Sequence, residues 1–456
     1  MYMKKMKRKF TLSTTQIILM SFMIAIFLGS ILLALPISSA SGKAVPYLDA
    51  LFTATTSTCV TGLVTLTTAT TWSVFGQIVI LLLIQIGGLG IITIMSGLML
   101  LLNRKLGISD HLLIQDAFNL NTMSGLGKFI KNVLFGTLLI EGIGALLYMF
   151  VFVPEFGAKG IWISLFTAVS AFCNAGIDII GENSLCNYAT NPLINLVTSA
   201  LIILGGIGYI VWWDVLRVLR SRSAKSRKSF RHLTLHTKIA ITVTLGLIFV
   251  GGALIFTLEY ANPLTIGNLS LIDKIQVSLF QSVTTRTAGF ASIPQENLTN
   301  AASLVSLLLM SIGGSPVGTA GGMKTVTIAV LICSAIATVK NKTNATLFGR
   351  CISLDSIRKA VAVTVMFVSI CFTSTVLLMA VSDASGLDVV YEAVSATATV
   401  GLSRSFTGNL NVLGKLIIIV TMYLGRVGPI SLAVALGSKN VSQNVISEPT
   451  EEISIG

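Results

Sequence analysis

The chain has 456 residues, of which 53% are hydrophobic and 11% charged, against roughly 25% charged in ordinary soluble domains. Apolar runs near the ~20 residues needed to cross a bilayer recur along it, which excludes a string of soluble domains and makes one multi-span membrane body. The net charge of +13 invites a nucleic-acid reading, but its placement excludes that too, because the basic residues gather at the junctions between apolar units.

In chain order, residues 1–14 carry Lys4, Lys5, Lys7, Arg8 and Lys9. Thr15 to Leu35 then reads as a membrane helix stopped by Pro36, too long for the apolar core of a signal peptide. Pro46 to Ala54 starts like a short helix, with proline near the first turn and Asp49 close behind it. It is too short and too polar to span. After Gly62 and a Thr-rich loop, Ile78 to Leu102 crosses again. The order then recurs three times. It gives Val133 to Val153, a short Ile161 to Phe172, and Leu193 to Val218; then Ile239 to Phe256, a short Ile272 to Val283, and Leu304 to Val339; then Val361 to Val381, a short Val389 to Ala398, and Leu416 to Leu436. The repeats occupy 15–105, 106–220, 221–350 and 351–436, and a polar tail over 437–456 holds Glu448, Glu451 and Glu452.

Arg104 and Lys105, the basic residues from Arg217 to Lys238, and those from Lys340 to Lys359 all follow a repeat. The positive-inside rule puts these junctions on the cytoplasmic side of the cell membrane, and two spans per repeat bring both termini there. The run from Arg217 to Arg231 is an orientation signal that also suits a partner or anionic membrane lipid. No nucleic acid is expected as a partner.

A fixed period confirms the repeats. The short segments end in Thr58-Cys59-Val60-Thr61-Gly62-Leu63, Phe172-Cys173-Asn174-Ala175-Gly176-Ile177, Thr285-Arg286-Thr287-Ala288-Gly289-Phe290 and Ala398-Thr399-Val400-Gly401-Leu402. Their glycines stand 114, 113 and 112 residues apart. About 25 residues later each copy has a second glycine run, containing Gly87, Gly205, Gly313 and Gly425. For Gly87, Gly205 and Gly425 the expected role is close helix packing. The predicted fold is an all-α membrane protein of four membrane-pore-membrane repeats, with eight transmembrane helices and four re-entrant half-helices around a pseudo-fourfold pore. Non-helical backbone at membrane depth is tolerated only where it is buried or lines water.

Extended backbone around such an axis offers rings of carbonyl oxygens, which replace the hydration shell of a monovalent cation. Glycine allows the close approach, and half-helix C-termini directed at the axis favour positive charge there. Thr58, Thr61, Asn174, Thr285, Thr287 and Thr399 add polarity without a charge that would bind the ion too tightly. In the third repeat the second helix is broken by Gly313-Gly314-Ser315-Pro316-Val317-Gly318-Thr319-Ala320-Gly321-Gly322-Met323-Lys324-Thr325, since glycine costs about 1 kcal/mol and proline about 3 in a helix interior. An intramembrane loop below the four-loop filter is a natural gate. Lys324 lies at that depth, as a repeller of cations or an anchor for the loop. Arg426 is its counterpart in the fourth repeat, either a pore-tuning charge or a ligand of carbonyls. Arg286 is expected to turn away from the axis and brace its loop. Asp49, Asp273 and Asp388 suit helix capping.

Six cysteines lack zinc spacing, and His111, His232 and His236 receive no role. No phosphate-binding GxxxxGK[ST] loop is present, so an ion-pumping enzyme is not expected, nor is a covalently bound cofactor.

With these four loops the chain resembles the Ktr/Trk/HKT superfamily of potassium transporters, most closely the bacterial KtrB-type membrane subunit, from about Thr15 to Leu436. The resemblance implies potassium passage along the pseudo-fourfold axis, with the four glycines as selectivity determinants. Glycine in all four copies favours potassium there, although a sodium-selective or proton-coupled transporter of the same fold remains the alternative. The resemblance further implies a homodimer on a cytosolic nucleotide-binding ring of the KtrA type, so that nucleotide acts only through that partner. One departure is Ile177, where the family usually has phenylalanine.

Overall fold

The computed structural model describes residues 14–102, 125–220 and 229–428. The N-terminal lysines, Arg104, Lys105, His111, the basic residues from Arg222 to Lys228, the end of the last span up to Leu436 and the tail 437–456 lie outside them.

Each repeat opens with one long apolar helix: α1 (Thr14–Ala34), α5 (Leu126–Phe156), α9 (Leu235–Glu259) and α13 (Leu354–Val381). The 21 residues of α1 rise about 31 Å at 1.5 Å per residue, the thickness of a bilayer core. Within the most apolar stretches of these four helices only 17% to 39% of residues are buried, so they form the outer wall. Inside them sit the half-helices α2 (Tyr47–Cys59), α6 (Ala158–Cys173), α10 (Leu271–Thr284) and α14 (Gly386–Ala398). These are buried along their C-terminal halves, Leu279 alone being only partly so.

Local sequence explains where the half-helices start. Pro46 stands just before α2, where a missing N–H costs nothing. Ser270 and Ser385 cap α10 and α14, each accepting from the amide three residues on and donating to Asp273 or Asp388 at 2.6 and 2.7 Å. The serine caps the first turn while the aspartate holds its hydroxyl in place. Gly157, at φ 60°, turns α5 into α6.

The second helices depart from the expected unbroken spans. Ile78 to Leu102 divides into α3 (Val74–Leu89) and α4 (Ile91–Leu101), bent by 94°, and Leu193 to Val218 into α7 (Pro192–Gly206) and α8 (Tyr209–Arg220), bent by 96°. The breaks fall at Gly90 and Gly208, whose φ values of 83° and 94° cannot continue a right-handed helix. In the third repeat α11 (Asn300–Ser311) and α12 (Thr325–Val339) flank the glycine-rich loop, which is non-helical as expected. In the fourth, α15 (Val412–Val427) ends at Gly428, φ 88°. The expected packing role of the second glycines holds. A Cβ on Gly87, Gly205 or Gly425 would strike the carbonyl of Thr58, Phe172 or Thr397 at the end of its own half-helix.

Candidate functional site

The four half-helices end at one place. A Cβ added to Gly62 would lie 2.5 Å from the carbonyl oxygen of Ala175, one on Gly176 2.6 Å from that of Ala288, and one on Gly289 2.5 Å from that of Val400; on Gly401 it would strike the carbonyl of Thr61. Each glycine therefore meets the residue before the glycine of the next repeat, and the fourth returns to the first. The ring is closed, and no side chain fits in it.

The backbone that builds the ring is repeated and strained. Val60, Asn174, Thr287 and Thr399, each two residues before a ring glycine, have φ of 54°, 59°, 67° and 52°. The glycines themselves have φ of 98°, 63°, 82° and 96°. A left-handed conformation at a β-branched residue costs on the order of 1–3 kcal/mol, so the packing around three of the four loops overrides local preference. In repeats one, two and four the helix closes with the same pair of bonds. Val60, Asn174 and Thr399 donate to Ser57, Ala171 and Ala396 at 3.2 Å, and Thr61, Ala175 and Val400 donate to Thr56, Ser170 and Ser395 at 2.8 Å. This is the pattern that glycine usually completes at a helix end.

The next amide in repeats one and four, and the one after it in repeat two, also turn inward. Gly62 donates to Thr56 Oγ1 at 3.0 Å, Ile177 to Ser170 Oγ at 3.1 Å and Gly401 to Ser395 Oγ at 3.1 Å. Loop N–H groups are thus spent on the half-helices, which leaves loop carbonyls as the unspent polar groups beside the axis. The helix C-termini contribute partial negative charge at the same point. Buried Thr58, Thr61 and Thr399 hydroxyl oxygens have no partner among the described residues.

The third loop is built differently. There α10 runs on to Thr284 with Thr285 still right-handed, and Thr284 Oγ1 donates to the Phe290 carbonyl at 2.7 Å. Arg286 is buried and leaves the ring, as expected, to approach Thr244 Oγ1 at 3.3 Å and the Gly313 carbonyl at 3.5 Å. Cys59 and Cys173 are buried at the ends of their half-helices, while Ala288 and Ala398 pack inside.

All four ring glycines line one cavity of about 490 Å³ on one side of the ring. Its wall includes half-buried Asp178 and exposed Glu182 and Glu296. Sequence reading missed these acids. The signal was the position of Asp178, two residues beyond Gly176.

On the other side, a cavity of about 380 Å³ lies between Gly87–Gly90, the loop from Val317 to Lys324 and Arg426. The loop is fastened to every neighbour it reaches. Ser315 and Thr319 amides donate to the Gly206 and Gly205 carbonyls at 2.8 and 3.1 Å, and Tyr209 donates to Val317 at 2.9 Å. Thr319 Oγ1 donates to the Phe172 carbonyl at 3.1 Å, and the Gly321 amide to Thr287 Oγ1 at 3.2 Å. Gly313 donates to the Met323 carbonyl at 2.9 Å and Thr325 to that of Gly314 at 3.0 Å, closing the loop on itself. Gly318 and Gly322 lie within it, Gly322 at φ 63°. Lys324 Nζ donates to Ala320 and Gly321 carbonyls of its own loop, the anchoring arrangement. Arg426 Nη1 donates to the Thr319 carbonyl at 2.6 Å, and Nη2 to the carbonyl of Gly87.

Two further contacts hold the ring, and the sequence did not reveal them. Asp49 is not only a helix-start acid, since Lys415 Nζ reaches it at 2.5 Å and ties repeat one to repeat four. Arg404, three residues beyond Gly401, donates to Asp388 at 2.7 Å, to the Gln295 carbonyl at 2.9 Å and to Ser303 Oγ at 2.7 Å.

Comparison with known proteins places this geometry. The TrkH family model, a cation transport protein, matches residues 2–446. The chain is 40% identical over 460 residues to the potassium/sodium uptake protein NtpJ of Enterococcus hirae, covering 100% of this chain and 99% of that protein. It is 39% identical to the Ktr system potassium uptake protein B of Bacillus subtilis, covering 97% and 96%. Among solved structures, the potassium transporter TrkH from Vibrio parahaemolyticus superposes with a TM-score of 0.74 at 16% identity, over 95% of this chain and 86% of that one.

Proposed function

Because the chain belongs to the TrkH family of cation transport proteins, we propose that it is the potassium-translocating membrane subunit of a channel-like uptake system. Family membership makes it a multi-pass membrane transporter and not an enzyme. The reading of its cargo rests above all on the closed ring of Gly62, Gly176, Gly289 and Gly401, which offers backbone oxygens in place of an ion's water.

In this reading a cation gathers in the acidic cavity beside Asp178, Glu182 and Glu296, sheds water at the carbonyls of the four loops, and passes toward the cavity below. The residues Thr58–Gly62, Cys173–Gly176, Thr285–Gly289 and Ala398–Gly401 act as the selectivity filter. The loop containing Gly313, Gly314, Ser315, Gly318, Thr319, Gly321, Gly322 and Lys324 acts as the gate, held shut by repeat two and by Arg426. Opening requires that loop to leave the Gly205 and Gly206 carbonyls and the Arg426 guanidinium. Both termini face the cytoplasm. A cytosolic nucleotide-binding ring of the KtrA type bears on the gate, and the membrane subunit works as a homodimer; relatives named as parts of a Ktr system support the first of these. Passage of sodium beside potassium is a second reading, favoured by the similarity to a protein named for uptake of both ions.

A structure determined in rubidium or thallium tests the filter. Heavy-ion density is expected on the axis within the four loops, and density confined to the cavities would defeat the proposal.

A further inference from the structure

We propose that Glu141 is a positioning residue of the filter, setting cation selectivity through Gln85 and Cys173. The inference rests on the filter reading above and adds a residue that the four loop motifs do not contain.

Glu141 lies near the middle of α5, in a span otherwise apolar enough to cross a membrane, and is 3% exposed. An acid at that depth needs a partner or a task. None of the four ion pairs among the described residues includes it. Two other buried glutamates show what a structural acid looks like here. Glu259 takes bonds on both oxygens from Asn262, Thr265 and Thr299, and Glu392 takes them from Ser403 and Thr407. Glu141 is held more lightly. Its Oε2 accepts from Gln85 Nε2 at 3.2 Å, and its Oε1 has Cys173 Sγ at 3.9 Å.

Those two contacts make one directed chain. Cys173 Sγ donates to Gln85 Oε1 at 3.5 Å, and the Gln85 amide donates to Glu141. The Gln85 amide thus turns its Nε2 end to Glu141 and its Oε1 end to the thiol. Cys173 is the last residue of α6 and leads directly into Asn174-Ala175-Gly176. It also lies tight against Gly88 on the same helix as Gln85, where an added Cβ would sit 2.6 Å from its Sγ. The end of half-helix two is therefore held against the face of α3 that carries Gln85 and Gly88, and against Glu141 of α5. The chain links α3 of repeat one and α5 of repeat two to the filter backbone of repeat two.

The experiment is potassium and sodium flux through the full-length protein in liposomes, read as the ratio of the two fluxes. A loss of folded protein lowers both fluxes together and leaves the ratio alone; a displaced filter moves it. Glu141→Gln keeps the shape but replaces one carboxyl oxygen by an NH2 group that cannot accept, and is expected to lower the ratio about tenfold, as loss of an outer-shell partner does at metal sites. Gln85→Leu cuts the chain in the middle and should lower the ratio likewise, which also covers a Glu141→Gln protein that fails to fold. Gly176→Ser in the same loop serves as control. A ratio that falls in Gly176→Ser but holds in Glu141→Gln overturns this inference and leaves the filter reading intact. A fall at Glu141→Gln without one at Gln85→Leu overturns the route through Gln85. If Gly176→Ser too leaves the ratio unchanged, the filter reading fails and takes the inference with it.

Discussion

Arg426 and Thr319 are 107 residues apart in the chain, yet the guanidinium of one donates to the carbonyl of the other at 2.6 Å. The same side chain reaches the carbonyl of Gly87. One arginine of repeat four thus joins the glycine-rich loop of repeat three to the broken helix of repeat one. A planar guanidinium can hold two carbonyls at once in this way, which the point charge of lysine does less well.

Arg426→Ala should therefore free the loop and raise basal flux. Hydrogen bonds from a charged donor are worth about 1.5–3 kcal/mol, so loss of that restraint shifts a shut-to-open equilibrium by roughly 10–100-fold. Single-channel or liposome flux in the absence of any cytosolic partner measures it. A variant as silent as the parent would show that the loop is held without Arg426, by its bonds to repeat two and to Thr287.

The pair formed by Asp49 and Lys415 ties repeat one to repeat four, with side chains 12% and 18% exposed. Partial burial makes this more than a surface pair, for which the contribution is about 0–1 kcal/mol. Asp49→Asn and Lys415→Met should each lower thermal stability in detergent, and the double variant should lose less than the sum of the two. Additive losses would mean that the two side chains do not interact.

Gly425→Ala would drive a Cβ into the carbonyl of Thr397. Overpacking of this kind costs about 1–3 kcal/mol, and here it displaces the last turn of α14, which carries Thr399, Val400 and Gly401. The expected result is folded protein with reduced flux. Gly246→Ala, where a Cβ meets nothing within 4 Å, is the matched control and should leave flux unchanged.

Arg404→Ala removes bonds to Asp388, Gln295 and Ser303 at one stroke. These hold the segment after the fourth loop against repeat three. Selectivity should weaken in this variant and recover in part in Arg404→Lys, which can restore only some of these contacts. Unchanged selectivity in Arg404→Ala would confine the residue to stability.

Much of this architecture is legible in the sequence because its signals are periodic and local. Glycines spaced 114, 113 and 112 residues apart reveal four copies, and Pro46, Asp273 and Asp388 mark the half-helix starts. The unhelical run from Gly313 to Lys324 also follows from composition. The 94° and 96° bends do not. Hydropathy responds to apolar content and is indifferent to direction, so Gly90 and Gly208 look like any small residues in a span until their φ values are known. The cyclic order of the ring is likewise invisible, because Gly401 meets Thr61 only after all four repeats have closed. Asp49 with Lys415, Arg404 with Gln295 and Glu141 with Gln85 escape for the same reason. Each side chain reads as a cap, a loop charge or an isolated acid, and its partner lies in another repeat.

The ring itself is best tested at Gly289. Its added Cβ would stand 2.5 Å from the Val400 carbonyl and 3.1 Å from the Gly176 Cα, and its φ of 82° disfavours any side chain. We would measure potassium and sodium flux in liposomes for the parent protein and for Gly289→Ser. The parent should pass potassium in preference to sodium, and the variant should lose that preference or most of its potassium flux. If both proteins passed the two ions equally well, the four glycines would not be the selective element of the pore.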